Sequence, residues 1–413
     1  MRMSRKIRMH GRLLWAVLLL SACGGSTYSI GGTVTGLVGT VVLQNNGTSD
    51  LSISANGAFT FAGYFTGGST YNVTVFNQPT DQTCTVSSGS GTANGNVTSV
   101  VVTCVGITPS RYAYATNAGS NTVSQYTIAT GGALKAMTAA TVAAGTTPYA
   151  VTVDPAVRYV YVANSGSNNV SQYTVGTDGA LTPMTIATVA AGTNPRSVAV
   201  DPFGRHAYVA NWGSNSISQY SIGAGGALTA MATATVAAGT NPYSVTIDPL
   251  GRYAYVANAG SNNISQYAIG TDGSLTAMTV ATVASGTTPY SVAIDPLVRY
   301  AYVANSGSNN VSQYTIGTDG SLTAMTATAV AAGITPGSVT VDPSGKYAYV
   351  ANAGSNSISQ YTIGTGGVLM PMTTVTVAAG TTPRSVTVDP SGQYVYVANY
   401  DSGSVSVRKP ETA

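Results

Sequence analysis

The chain has 413 residues, of which 7% are charged and 44% are hydrophobic, with 48 Gly and 26 Tyr. β-branched and aromatic residues favour strands and Gly and Asn favour turns, so this is the palette of an all-β protein long enough for two or three domains. The formal charge of +3 excludes less than it suggests, because five of the 16 basic residues (Arg2, Arg5, Lys6, Arg8, Arg12) precede residue 22. Without them 11 basic residues face 13 acidic ones, and no basic surface is left to argue for nucleic acid.

Those early residues form a basic stretch followed by a short apolar run, Leu13 to Leu20, too short to span a bilayer. Leu20-Ser21-Ala22-Cys23-Gly24 comes next and resembles a bacterial lipobox. The resemblance implies a signal peptide over 1–22, lipidation at Cys23, a tether over 23–29 and an exported protein held at the cell envelope. The residue after Cys23 is not Asp, which by the same resemblance points to the outer membrane. A multiply acylated anchor holds a protein to a membrane where one chain alone is marginal. With Cys23 so used, Cys84 and Cys104 remain. An oxidising compartment makes a disulfide their expected state.

Residues 30–105 read as a small β-sandwich of about seven short strands. Ser52 to Ser54 and Ala58 to Phe61 flank Asn56-Gly57, the signature of a hairpin. The stretch resembles the immunoglobulin-like modules that precede larger domains in bacterial surface proteins, and nothing in it suggests chemistry.

From 106 to 413 the chain repeats itself. The Asn that closes each Tyr-x-Tyr-Val-Ala-Asn unit, or its variant, falls at 117, 164, 211, 258, 305, 352 and 399, a constant step of 47. In the unit that starts at Pro195, strands are expected over 196–200, 206–210, 217–222 and 232–236. Four short strands per period make a propeller blade, and a blade needs neighbours to cover its two faces. The first unit lacks a first strand and the last lacks a fourth. Seven blades with incomplete ends, or six with a composite seventh, both fit.

Val-x-Val-Asp-Pro-x-Gly, Tyr-Val-Ala-Asn and Gly-Ser-Asn-x-Val-Ser resemble the Tyr-Val-Thr-Asn propeller repeats. They also resemble the seven-bladed lactonase-like family that includes 6-phosphogluconolactonase-type hydrolases. The resemblance implies the propeller fold and leaves lactone hydrolysis as one possible activity. Its motifs are strand and turn residues.

Chemistry has few residues to work with. Beyond the leader there is one His, His206, one Glu, Glu411, and twelve Asp. Six of those Asp (154, 201, 248, 295, 342, 389) begin Asp-Pro turns and three (178, 272, 319) sit in Thr-Asp-Gly turns. Turn formation accounts for them, and no tuned acid–base pair stands out. His206 replaces a repeat Tyr and has no His or Cys beside it, so no metal is expected, and no cofactor motif occurs.

A ligand site must break the repeat's symmetry. The residue after the repeat Pro is Tyr149, Arg196, Tyr243, Tyr290, Gly337 or Arg384, and the residue after the repeat Asn includes Trp212 and Tyr400. Both loops belong on one face of a propeller, so Tyr149, Arg196, Trp212, Tyr243, Tyr290, Arg384 and Tyr400 are the candidate binding residues at one mouth of the central channel. Tyr, Trp and Arg are favoured recognition residues. A binding or scaffold module at the envelope, with a protein or glycan partner, is the reading these residues support; lactonase-like hydrolysis is the alternative.

Overall fold

The computed structural model describes residues 26–79, 82–106, 112–129 and 131–410. The leader, the lipobox and Cys23 lie outside them. The chain divides into two compact units at Thr108/Pro109.

The first unit is a sandwich of two four-stranded sheets. One has the order Gly57–Thr60, Ile30–Thr35, Val97–Gly106, Gln82–Ser87; the other has Ser49–Ile53, Val41–Asn45, Thr70–Asn77, Ser90–Thr92. Alternating side chains such as Ile30, Val34, Val41, Leu43, Val73, Val100 and Val102 meet between the sheets and are nearly solvent-free. Fully burying one such side chain is worth about 1.5–3 kcal/mol. Cys84 and Cys104 sit directly opposite one another on adjacent antiparallel strands and are joined by a disulfide.

The Asn56-Gly57 turn does not make a hairpin. Ser49–Ile53 and Gly57–Thr60 belong to different sheets, so the turn carries the chain around a corner. The Asn56 side chain explains the difference. It accepts from Leu37 N at 2.7 Å and donates to Leu37 O at 3.0 Å, pinning the turn to the strand-exit loop of a third segment.

The second unit is a propeller. Among the described residues it has seven sheets, five of four strands and two, the first and the last, of three. Blade 1 comprises Tyr112–Asn117, Thr122–Ile128 and Leu134–Ala143; blade 7 comprises Pro383–Val388, Val395–Asn399 and Ser404–Arg408. Blades 2 to 6 span 148–190, 195–237, 242–284, 289–331 and 336–378. In blade 3 the strands are Pro195–Val200, His206–Asn211, Ser216–Ile222 and Leu228–Ala237, each antiparallel to the next. The fourth strand therefore starts four residues before its expected beginning, and a register shift opposite Ser218/Tyr220 absorbs the extra length.

The motif residues hold this architecture together. The second strand is buried on both faces: Tyr208 and Ala210 pack on Val245, Ala254, Val256 and Tyr267 of blade 4. Its closing Asn211 is fully buried and ties three segments, accepting from Gly192 N at 3.1 Å and donating to Ser216 and Ser218 Oγ at 3.2 and 2.9 Å. Gln219 reaches the next blade, accepting from Leu275 N at 2.7 Å. Tyr208 Oη donates to Gly273 O of the next blade at 2.6 Å. Unpaired, each of these buried polar groups would cost about 1–3 kcal/mol.

The ring closes between blades 7 and 1 by the same device. Tyr396 Oη donates to Gly132 O at 2.9 Å, and Tyr394 lies where a Cβ on Gly132 would be, 2.2 Å from its ring. Among the described residues the seven sheets are separate and none is composite, which answers for seven blades.

Candidate functional site

The acids come first, because they decide what chemistry is available. Asp248 is fully buried, and its Oδ1 accepts from Arg252 N at 2.5 Å and Tyr253 N at 2.9 Å. Asp154, Asp201, Asp295, Asp342 and Asp389 make the same pair of bonds in their own turns. The basic residue that follows lies alongside: Arg252 Nε is 3.5 Å from Asp248 Oδ2 and Arg299 Nε 2.9 Å from Asp295 Oδ2. These carboxylates are turn caps. Asp272 and Asp319 cap Ser274 and Ser321, and those bonds hold both carboxyls below their ordinary range.

His206 occupies the place of the repeat Tyr. Its ring lies 2.2 Å from where a Cβ on Gly273 would be, as Tyr159 does at Gly226 and Tyr253 at Gly320. Gly273 has φ +84°, so a Gly is required there twice over, by backbone and by space. His206 Nδ1 is 3.6 Å from the capping Asp201 Oδ2. Among the described residues no three His, Cys, Asp or Glu gather as a metal site would need.

The first strands are innermost and line the channel in succession. Small polar side chains link them: Ser197 Oγ accepts from Val245 N and Ser291 Oγ from Val339 N, each at 3.2 Å, and Thr246 Oγ1 donates to Val292 O at 2.7 Å. At the end where each first strand begins, the seven variable side chains meet in one cluster. Tyr243 stands at its centre. Its ring is stacked on Tyr290, with centroids 3.9 Å apart and planes 9° apart. It meets Tyr149 and Trp212 edge-to-face, each at 5.7 Å. The Tyr149 and Tyr243 hydroxyls share a hydrogen bond. Arg196 lies over three rings, 4.4 Å from the Tyr149 centroid, 5.3 Å from Trp212 and 5.9 Å from Tyr243. Arg384 comes from blade 7, interacts electrostatically with Tyr149 and Tyr243, and lies 4.7 Å over Tyr400. Blades 2, 3, 4, 5 and 7 thus contribute to one aromatic and cationic surface, and blade 6 contributes Gly337, whose Cβ position is 3.3 Å from Arg384 O.

The electrostatics follow from crowding. Burial, then the neighbouring Tyr149 and its hydrogen bond, push the Tyr243 hydroxyl well above the ordinary phenol range, with Arg384 opposing. Burial works against the charge on Arg384, and Tyr149 and Tyr243 outweigh it, so this guanidinium keeps its proton more firmly than usual. The face is cationic and rich in rings. Asp401, which follows Tyr400 in the chain, accepts a hydrogen bond from the Thr382 hydroxyl.

Two residues of this mouth lie outside the candidate set. Asn194 Oδ1 accepts from Arg196 Nε at 2.9 Å and from Ser165 Oγ at 2.7 Å, fixing the guanidinium over its rings. Asn241 Nδ2 donates to Trp212 O at 3.2 Å. The residue before each repeat Pro is Asn here and Thr in the other blades with a first strand, and that alternation was the available signal.

The class defined by seven radial sheets of up to four antiparallel strands, with a plugged channel mouth, is the seven-bladed β-propeller. The chain belongs to the family described as lactonase, 7-bladed β-propeller, which it matches over residues 6–279 and 242–412. No curated protein matches it. Among solved structures it resembles a putative 6-phosphogluconolactonase from Bacteroides fragilis, at 21% identity and TM-score 0.65, covering 74% of this chain and 93% of that one. It resembles the periplasmic gluconolactonase of Pseudomonas aeruginosa at 20% identity and TM-score 0.61, covering 70% and 88%. It also resembles the hydrazine synthase of Kuenenia stuttgartiensis at 21% identity and TM-score 0.58, covering 72% and 92%. Neighbours named for such different reactions share the scaffold, and function has to be argued from the site.

Proposed function

We propose that the chain is an exported, lipid-anchored propeller at the cell envelope that binds a protein or glycan through the mouth built by Tyr149, Arg196, Trp212, Tyr243, Tyr290, Arg384 and Tyr400. One observation carries the reading. The positions at which near-identical blades differ are the ones that meet in space, and they hold Tyr, Trp and Arg. Rings locked edge-to-face and under guanidinium groups are pre-ordered, so a partner binds them with little further loss of side-chain entropy. The leader and Cys23 support placement at the envelope. The triple variant Arg196→Ala, Trp212→Ala, Tyr243→Ala, compared with the parent on a glycan and envelope-protein array, tests the mouth. Loss of the parent's hits is expected, and an unchanged profile rejects it.

Family membership favours a second reading, lactone hydrolysis. The capping roles of the repeat Asp residues and the packing role of His206 weigh against it. Turnover of a gluconolactone by the purified chain, surviving His206→Ala and lost on Arg384→Ala, would replace the binding reading with a hydrolase at the same mouth.

A further inference from the structure

The aromatic stack of the mouth has an open end. Tyr243 of blade 4 lies flat against Tyr290 of blade 5 and meets Tyr149 and Trp212 edge-to-face. Among the described residues no ring or guanidinium covers the second face of Tyr290, whose side chain is half-buried. The next position around the ring is Gly337 of blade 6, where blades 2, 4 and 5 carry Tyr and blades 3 and 7 carry Arg. The backbone does not demand this glycine. Its φ lies outside the left-handed region, and a Cβ there would meet only the Arg384 backbone, with Arg384 O nearest at 3.3 Å. What Gly337 provides is a gap one side chain wide, between Tyr290 and Arg384 in the order of the blades.

The charges of the mouth are unanswered. Past the other end of the first strands Arg158, Arg205, Arg252 and Arg299 each lie 2.9–3.6 Å from a capping Asp. Among the described residues neither Arg196 nor Arg384 forms such an ion pair, and the Asn194 side chain that accepts from Arg196 Nε is neutral. Both cations share one ring: Arg196 lies 4.4 Å from the Tyr149 centroid, and Arg384 acts on the Tyr149 and Tyr243 hydroxyls. Like charges held this close repel, and a bound anion offsets the repulsion. Arg384 is exposed, and a guanidinium presents a planar fork that matches a carboxylate.

Resting on the binding role proposed for this mouth, we infer that its ligand is an acidic glycan, one uronate residue of which enters the Gly337 gap. The C–H face of the pyranose packs on the free face of Tyr290, since ring faces are slightly negative and sugar C–H groups slightly positive. The carboxylate pairs with Arg384, and Arg196 supplies the second positive charge. A neutral sugar or an aromatic side chain would cover Tyr290 and leave both cations unanswered. An Asp or Glu side chain would answer a cation and leave the ring bare. A uronate does both in one residue.

The test uses the purified full chain and fluorescently labelled tetramers of galacturonate, of mannuronate and of the glucuronate-containing hyaluronan repeat, each beside its methyl ester. Saturable binding of at least one acid form is expected by fluorescence anisotropy. Its methyl ester keeps every sugar ring, loses the charge and should bind about ten-fold more weakly, as should the acid form to Arg384→Gln. Gly337→Tyr puts into the gap the side chain that blades 2, 4 and 5 carry, and should abolish binding with both Arg residues in place. Arg252→Gln removes a cation far from the mouth and should change nothing. The inference is overturned if no acid tetramer binds, if ester and acid bind alike, or if Arg384→Gln and Gly337→Tyr both leave the affinity unchanged. In those cases array hits still lost on the triple variant would keep the mouth as a binding site for another ligand, and hits that survive it would end both readings.

Discussion

Tyr396 and Gly132 are 264 residues apart and share a hydrogen bond of 2.9 Å that joins the last blade to the first. Among the described residues no strand pairs across this seam, and the Tyr396 side chain bridges it. Tyr396→Phe should lower stability by about 1–2 kcal/mol, the cost of leaving a buried carbonyl unpaired. Gly132→Ala should cost more, since φ is +81° and the new methyl meets the Tyr394 ring. Urea unfolding of both variants beside Tyr255→Phe, which removes the same bond within the ring, measures the difference.

Burial pushes the hydroxyls of Tyr161, Tyr208, Tyr255 and Tyr302 above the ordinary phenol value, and nearby Asp carboxylates add to it. A raised value in the folded state means that the native chain holds protons the unfolded chain releases near pH 10. The stabilisation is complete below about pH 10 and is lost as pH rises beyond it. Melting temperature should therefore fall above pH 10, and tyrosinate absorbance should grow in step with unfolding. A flat melting profile to pH 12 would contradict this.

His206→Tyr restores the repeat's own residue against Gly273. Stability should be unchanged or raised by up to about 1 kcal/mol, since the ring fills space already shaped for it. Binding through the mouth should not change. A loss of binding or turnover would assign His206 a role its packing does not suggest.

Cys84→Ser with Cys104→Ser opens a loop of sequence separation 20. Loop-closure entropy makes the expected loss about 3 kcal/mol, confined to the N-terminal sandwich. Calorimetry should show the sandwich transition moving down while the propeller transition stays.

Much of this fold was legible because the period repeats its signals six or seven times. Asp-Pro turns, Tyr-x-Tyr-Val-Ala-Asn strands and the doubly buried second strand are local patterns. Contacts between blades are not local. Nothing near Tyr208 announces that its hydroxyl belongs to Gly273, and nothing near Asn56 announces Leu37. The fourth strand was read short because its side chains are mostly exposed and alternate weakly, as the pattern of Leu228–Ala237 shows. At the mouth, variation between copies pointed to the rings and guanidinium groups. It passed over Asn194, whose Thr counterparts make the substitution look conservative although its amide oxygen is what holds Arg196.

The mouth draws one or two residues from each of several interchangeable modules, and this has an evolutionary consequence. Blades that share nearly all of their framework can be exchanged whole, by recombination between their coding repeats, with no damage to the seams. Each exchange would deal a new combination of Tyr, Trp, Arg or Gly around the channel, much as an antibody varies its loops on a constant frame. Gly337 is then a blank card in the hand: the blade that leaves room for whatever the others grip.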